Sequence, residues 1–306
     1  MRKRMGTFET IDMLAVLIGY AVSGMPTQES FFARTRPFGE VFLGLFGRNR
    51  LPSPAALSRF LAAMTHECVQ SLRAVFERFS FRFGWTEATL GGLIDRSGQR
   101  LPVFDVDGTR QVARQRRLPA TCDLPPATRR MEKVCAVGYP GRKRGEGVRP
   151  CMTALHIHTH QWIFTWGGAG NGAPEEELKL AVEKIAQYLQ GFGLPESTAL
   201  LRLDGPFGSP VFLRILMQTT CCFGTRSIGS HLLQIPHGQA ILSQPLTAQV
   251  PGLSPDQPLD LFDGGEVELN SQGLRARLIV LRESRPKAGG VSRWGSAREP
   301  GSMNCF

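Results

Sequence analysis

Two short segments constrain this chain more than anything else in it. Val103 to Thr109 reads V-F-D-V-D-G-T, and Leu200 to Gly208 reads L-L-R-L-D-G-P-F-G. In each, a β-branched or leucine-rich run gives way to aspartate and then glycine, the pattern of a strand ending at the mouth of a sheet. A carboxylate placed there can hold a hard cation without being buried. Asp-Gly is also ordinary turn chemistry, so the argument rests on both segments falling in the strand order that a shared site requires. Asp105 lies two residues before Asp107 and projects from the same strand face. Either can be the primary ligand beside Asp204.

The charge balance indicates what such a site acts on. The chain has 306 residues, with 36 Lys plus Arg against 26 Asp plus Glu, a net charge of +10. That excess favours a polyanionic partner, and arginine, which greatly outnumbers lysine, is the better fork for phosphate. Paired carboxylates in a basic chain point to metal-dependent phosphoryl transfer on nucleic acid. A hydrophobic content of 42% and a mean hydropathy of -0.12 fit a soluble globular protein of one large or two ordinary domains. The seven cysteines have no C-x-x-C spacing, which points to a reducing compartment, the cytoplasm with its nucleoid, rather than a disulfide framework. The longest apolar run, Met13 to Val22, is about half a membrane span. Asp12 and the polar stretch before it spoil a signal-peptide reading of the basic start, so no membrane partner is expected.

Hydrophobic periodicity divides the chain. Residues 1–92 read as a helical, DNA-binding-like region. Ser53-Pro54 is an N-cap followed by proline at the first helical position. Leu57, Phe60, Leu61, Met64 and Cys68 then form one face, continued by Leu72, Val75, Phe76 and Phe79. Arg48, Arg50, Arg59, Arg73, Arg78 and Arg82 fall outside it, as a solvated basic face or as contacts to DNA backbone. Residues 93–229 read as a catalytic core. Leu101 to Val106 is a strand, followed by an exposed arginine-rich loop containing Arg110, Arg114, Arg116, Arg117, Arg142, Lys143 and Arg144. Cys151 to His158 and Gln161 to Trp166 form a strand pair. A helix opens at Pro174 with three glutamates in its first turn and buries Leu178, Val182, Ile185 and Leu189. Thr198 to Leu203 is a strand delivering Asp204, then a helix runs to about Met217 and a strand from about Thr219 to Thr225. Residues 230–284 read as a β-rich insertion with strands at Ala248 to Val250, Glu266 to Leu269 and Arg275 to Leu281. Residues 285–306 read as a tail without periodicity. The fold class is therefore α/β: a helical N-terminal region, then a ribonuclease-H-like mixed sheet flanked by helices, with a β-rich insertion.

Other motifs carry less. His156, His158 and His160 alternate along an expected strand and could share a face for zinc, but no fourth ligand is suitably spaced. Cys221-Cys222 reads as a buried strand pair. The G-G-A-G-N-G turn after Trp166 lacks the lysine and hydroxyl of a phosphate loop.

These segments, together with Arg36 to Leu61 (R-P-F-G-E-V-F-L-G-L-F-G-R-N-R-L-P-S-P-A-A-L-S-R-F-L) and V-G-Y-P-G-R-K-R-G-E, resemble bacterial insertion-sequence transposases of the DDE class. The resemblance runs from about residue 8 to 285. It implies a ribonuclease-H-like core, Mg²⁺- or Mn²⁺-dependent strand cleavage and transfer, and DNA as partner, both element ends and target. Homo-oligomer formation is a further expectation. It places Asp107 as first catalytic carboxylate and Asp204 as second, since aspartate, any residue, then Thr or Ser is the usual first motif of the class. The third acid of the class is a glutamate on a helix after the insertion, and no such helix appears before Phe306. Glu266, Glu268 and Glu283 are poor substitutes. The expectation is a C-terminally truncated, impaired copy, or a DNA-binding fragment that represses transposition; a nuclease using two aspartates is a third reading. Read one frame over, Gly295 to Phe306 can spell K-R-A-G-T-W-V-Y-E-L-F, so a frameshift that replaced the original end with Ala288 to Phe306 is expected too.

Overall fold

The computed structural model describes residues 8–48, 50–82, 87–112, 136–138, 146–167, 173–227, 231–234, 236–252, 258–269, 273–283 and 303–305. The chain divides into two compact units, Met1–Phe79 and Ser80–Phe306.

The first unit is helical: α1 (Thr10–Ser23), α2 (Gln28–Thr35), α3 (Gly39–Gly44), α4 (Pro54–Ala63) and α5 (His66–Arg82), which runs across the unit boundary. Local chemistry sets the ends. The Asp12 carboxylate accepts from the Glu9 N–H at 2.6 Å, opening α1, which stops at Gly24 in the left-handed region (φ 65). Ser53 caps α4 by accepting from the Ala56 N–H at 3.1 Å, with Pro54 in the first turn. Met13, Val16, Phe31, Phe32, Leu43 and Leu57 form the core. Arg48, expected outside, is paired instead with Glu9 and, at 3.2 Å, with the buried Asp12. A carboxylate so shielded from water needs that counter-charge. The single apolar face expected from Leu57 to Phe79 is broken. The chain leaves the helix at Met64 (ψ 118), and Thr65 starts a new one by accepting from the Cys68 N–H at 3.3 Å. The helical phase resets there, and Val69, Val75, Phe76 and Phe79 on α5 are exposed. Among the described residues no single helix is long and apolar enough to cross a membrane.

The second unit is built on a mixed sheet. After α6 (Glu87–Leu90) and a hairpin of β1 (Leu93–Ile94) and β2 (Arg100–Leu101) come β3 (Val103–Val112), β4 (Ala136–Gly138), β5 (Glu146–His156) and β6 (Gln161–Gly167). Then follow α7 (Pro174–Gln190), β7 (Leu200–Leu203), α8 (Pro210–Met217) and β8 (Cys222–Thr225). Strand β3 pairs antiparallel with β5 on one side and parallel with β7 on the other, and β8 runs parallel beyond β7. The outer edge of β5 is shared by β6 and the short β4. This is a ribonuclease-H-like sheet, with its first strand central between an antiparallel half and a parallel half. The buried stripe of α7 (Leu178, Ala181, Val182, Ile185, Tyr188, Leu189) packs in one core with Phe104, Val106, Ala154, Phe164 and Leu201.

Strand β3 does not stop at Val106. It continues through Asp107 to Val112, because β5 supplies partners all the way, from Phe104 opposite His156 to Val112 opposite Val148. The Asp-Gly of the first segment is thus mid-strand and not a turn. Strand β5 ends earlier than the sequence implies, at His156, where a turn takes over.

Beyond β8 come α9 (His231–Gln234), α10 (Pro236–Leu242) and a separate antiparallel sheet of β9 (Ala248–Val250), β10 (Leu259–Glu268), β11 (Arg275–Glu283) and β12 (Met303–Cys305), in order β12-β11-β10-β9. Leu233, Ile241, Phe262, Val267, Leu278 and Val280 form its core. Three residues of the expected tail therefore belong to a strand, with Val280 opposite Cys305.

Candidate active site

The face of β3 that turns away from the core carries Asp105, Asp107 and Thr109, while Phe104 and Val106 are buried. On β7 the same alternation buries Leu201 and Leu203 and leaves Arg202 and then Asp204 exposed. The register is parallel, with Asp105 opposite Arg202 and Val106 opposite Leu203. One residue further along, where β7 ends, stand Asp107 and Asp204. The two aspartates singled out from sequence are brought together where β3 and β7 stop pairing.

Their surroundings differ. Asp107 accepts from the Thr109 hydroxyl at 2.6 Å. The loop after Asp204 is a 3₁₀ turn, Gly205–Gly208, anchored by buried Phe207. The Thr225 hydroxyl, at the end of β8, donates to the Asp204 carbonyl at 2.9 Å. At Gly208 a Cβ would lie 2.2 Å from the Arg226 carbonyl oxygen, so only glycine fits that approach. Partial removal from water, and then the charge of Asp107, hold the Asp204 carboxyl above its ordinary range. The pair therefore repel each other, a tension that a shared cation would relieve.

Asp105 is engaged elsewhere. Its two carboxylate oxygens accept from Arg202 Nε at 2.5 Å and Nη2 at 2.6 Å, a fork across the parallel pair. Arg202 and Thr225 were missed in the sequence, whereas Thr109 entered it as the last residue of the aspartate-x-Thr motif. R-L-D carried a readable signal, since Arg202 stands two before Asp204 just as Asp105 stands two before Asp107.

Among the described residues, no three or more His, Cys, Asp or Glu are grouped to hold a metal ion. Glu266 and Glu268 lie on β10, and Glu283 ends β11. The three histidines do not line a strand face. His158 and His160 lie in the turn after β5, His160 with φ 54, while His156 is fully buried. His156 Nδ1 accepts from the Thr159 N–H at 3.2 Å and lies 2.7 Å from its hydroxyl. A neutral ring then carries its proton on Nε2, which is buried with no hydrogen-bond partner among the described residues. The ring sits edge-on to Phe104, 4.9 Å between centroids, and beside Tyr188. Burial, then the charge of His158, lowers its pKa to about 4. Cys221 is buried and Cys222 exposed, so they are not a buried pair.

Of the expected phosphate-binding residues, Arg110 is exposed on β3, opposite Pro150. Arg114, Arg116, Arg117, Arg142, Lys143 and Arg144 lie outside the described residues, as does most of the glycine-rich turn after Trp166.

No protein-family model matches the chain, and no curated protein matches it. Among solved structures it is similar to a piggyBac transposase synaptic complex with hairpin DNA, seen by cryo-electron microscopy, at 12% identity and a TM-score of 0.41. The likeness covers 96% of this chain and 56% of that one, so this chain spans little more than half its length.

Proposed function

We propose that this protein is a DDE-class transposase of insertion-sequence type, acting on phosphodiesters at element ends in the bacterial cytoplasm. The observation that carries the reading is the juxtaposition of Asp107 and Asp204 at the point where β3 and β7 part, on a ribonuclease-H-like sheet. Two hard, mutually repelling carboxylates suit Mg²⁺ or Mn²⁺. Bound there, the ion supplies Lewis-acid activation of an attacking oxygen and neutralisation of a leaving one. The chain's own part is to fix the carboxylates. Thr109 orients Asp107 by donating to it, and Thr225 and Phe207 hold the Asp204 turn. Arg110 is exposed further along the same strand, on the opposite face from Asp107 by the strand's alternation, so a phosphate that it contacts lies away from the carboxylate pair.

A second reading is favoured by one observation, the lack of a third acid beside the pair among the described residues. Under it the chain holds element DNA without cutting it, alone or with an intact copy, and represses transposition.

The test is nicking of supercoiled DNA carrying the element ends, in Mg²⁺ or Mn²⁺, with wild type beside Asp107→Asn. Transposase chemistry predicts nicking that falls to background in Asp107→Asn while DNA affinity is retained. Binding without nicking in both proteins selects the second reading. In either case affinity falls by about a thousandfold or more between 50 and 200 mM salt if about six phosphates are contacted. A flat salt dependence removes DNA backbone as the partner.

A further inference from the structure

We infer that Arg202 is a positioning residue that holds Asp105 out of the cation site and so decides which aspartate of D-V-D serves it. The inference rests on the reading of Asp107 and Asp204 as the cation-holding pair. Three carboxylates share one exposed face within two strands, yet they are not equivalent. Asp105 is bound through both oxygens to the guanidinium of Arg202, directly opposite it in the register. Asp107 accepts from a hydroxyl, that of Thr109, and has Asp204 beside it.

A forked guanidinium matches both carboxylate oxygens at once and leaves little lone-pair density for a metal. The pair is also electrically neutral, so among the described residues the negative charge at the strand ends is that of Asp107 and Asp204. Without Arg202, a third carboxylate stands one alternation below the other two, free to swing toward a cation. Arg202 thereby limits the site to two charges and keeps the ion at the open end of the strands.

The test is direct Mn²⁺ binding, read from the electron paramagnetic resonance of free Mn²⁺, with no DNA and no turnover. Arg202→Gln is expected to tighten Mn²⁺ binding by about tenfold, since it frees a negative charge beside the site. The decisive protein is Arg202→Gln with Asp105→Asn, which removes both partners and leaves the net charge unchanged. It is expected to bind Mn²⁺ within about twofold of wild type. A tenfold loss in this double variant makes Asp105 a ligand in the wild type and overturns the inference. Unchanged affinity in Arg202→Gln overturns it as well. Arg202 is largely solvent-exposed, so these proteins should melt within a few degrees of wild type. The underlying reading is judged separately by Asp107→Asn: unaltered Mn²⁺ binding there removes the Asp107–Asp204 site. If only Arg202→Gln binds Mn²⁺, the shielding role of Arg202 stands while the wild-type cation site does not.

Discussion

Helices α5 and α7 are both 17 residues long, and both read in sequence as amphipathic, yet they end in opposite situations. The apolar stripe of α7 is fully buried, with Leu178, Ala181, Ile185, Tyr188 and Leu189 at 0% exposure. On α5, Val69, Val75, Phe76 and Phe79 are 41 to 58% exposed. The difference lies in what surrounds each helix. The sheet offers α7 a continuous apolar face, with β3, β5, β6 and β7 contributing Phe104, Ala154, Phe164 and Leu201 to the shared core. Helix α5 begins after a break at Met64 that takes its stripe out of line with the core of α4. A stripe at helical spacing is therefore necessary for burial but does not secure it.

The sharpest way to break this comparison is to truncate matched residues. Ile185→Ala removes a side chain with no exposed surface and should cost about 2–5 kcal/mol of unfolding free energy, measured by urea denaturation. A loss below about 1 kcal/mol would mean that α7 is not anchored on the sheet.

The next effect uses acid in place of mutation. His156 packs against Tyr188 of α7 and Phe104 of β3, with a pKa lowered to about 4 by burial and by His158. A base with a depressed folded pKa binds its proton more readily when unfolded, so stability falls as pH drops from about 6.5 to about 4. The loss attributable to this ring is at most about 3 kcal/mol across that window. Carboxylates titrate in the lower part of the same range, so the informative quantity is a difference. His156→Phe should lose less stability than wild type between pH 7 and pH 4.5. Equal losses would mean that the ring is not held neutral.

The same contrast marks what could be read from the residues. The α7 stripe and the convergence of Asp107 with Asp204 were legible because each follows from local alternation plus the order of elements. What escaped depends on partners distant in sequence. Strand β3 continues past Gly108 because β5 pairs with it as far as Val148, although Asp-Gly locally resembles a turn. Arg202 meets Asp105 across 97 positions, and Arg48 meets the buried Asp12 from another element. His156 looked like one of three alternating ligands until β5 ended beneath it and the next two histidines passed into a turn. In each case a neighbour from elsewhere in the chain decided between two locally acceptable states.

The smallest expected effect sits on α5. Phe76 is 52% exposed and Val75 55% exposed, so the folded chain gains little from either side chain. Phe76→Ser with Val75→Ser should change unfolding free energy by no more than about 0.5 kcal/mol for each site, apart from the small helix-propensity difference of serine. Urea denaturation of the pair beside Ile185→Ala sets the two helices against each other in one experiment. If the serine pair costs as much as Ile185→Ala, the α5 stripe is buried in solution by a surface that the isolated fold does not supply. Repeating the measurement across a tenfold range of protein concentration then identifies the cover. A second copy makes the cost concentration-dependent, whereas burial within one chain leaves it constant.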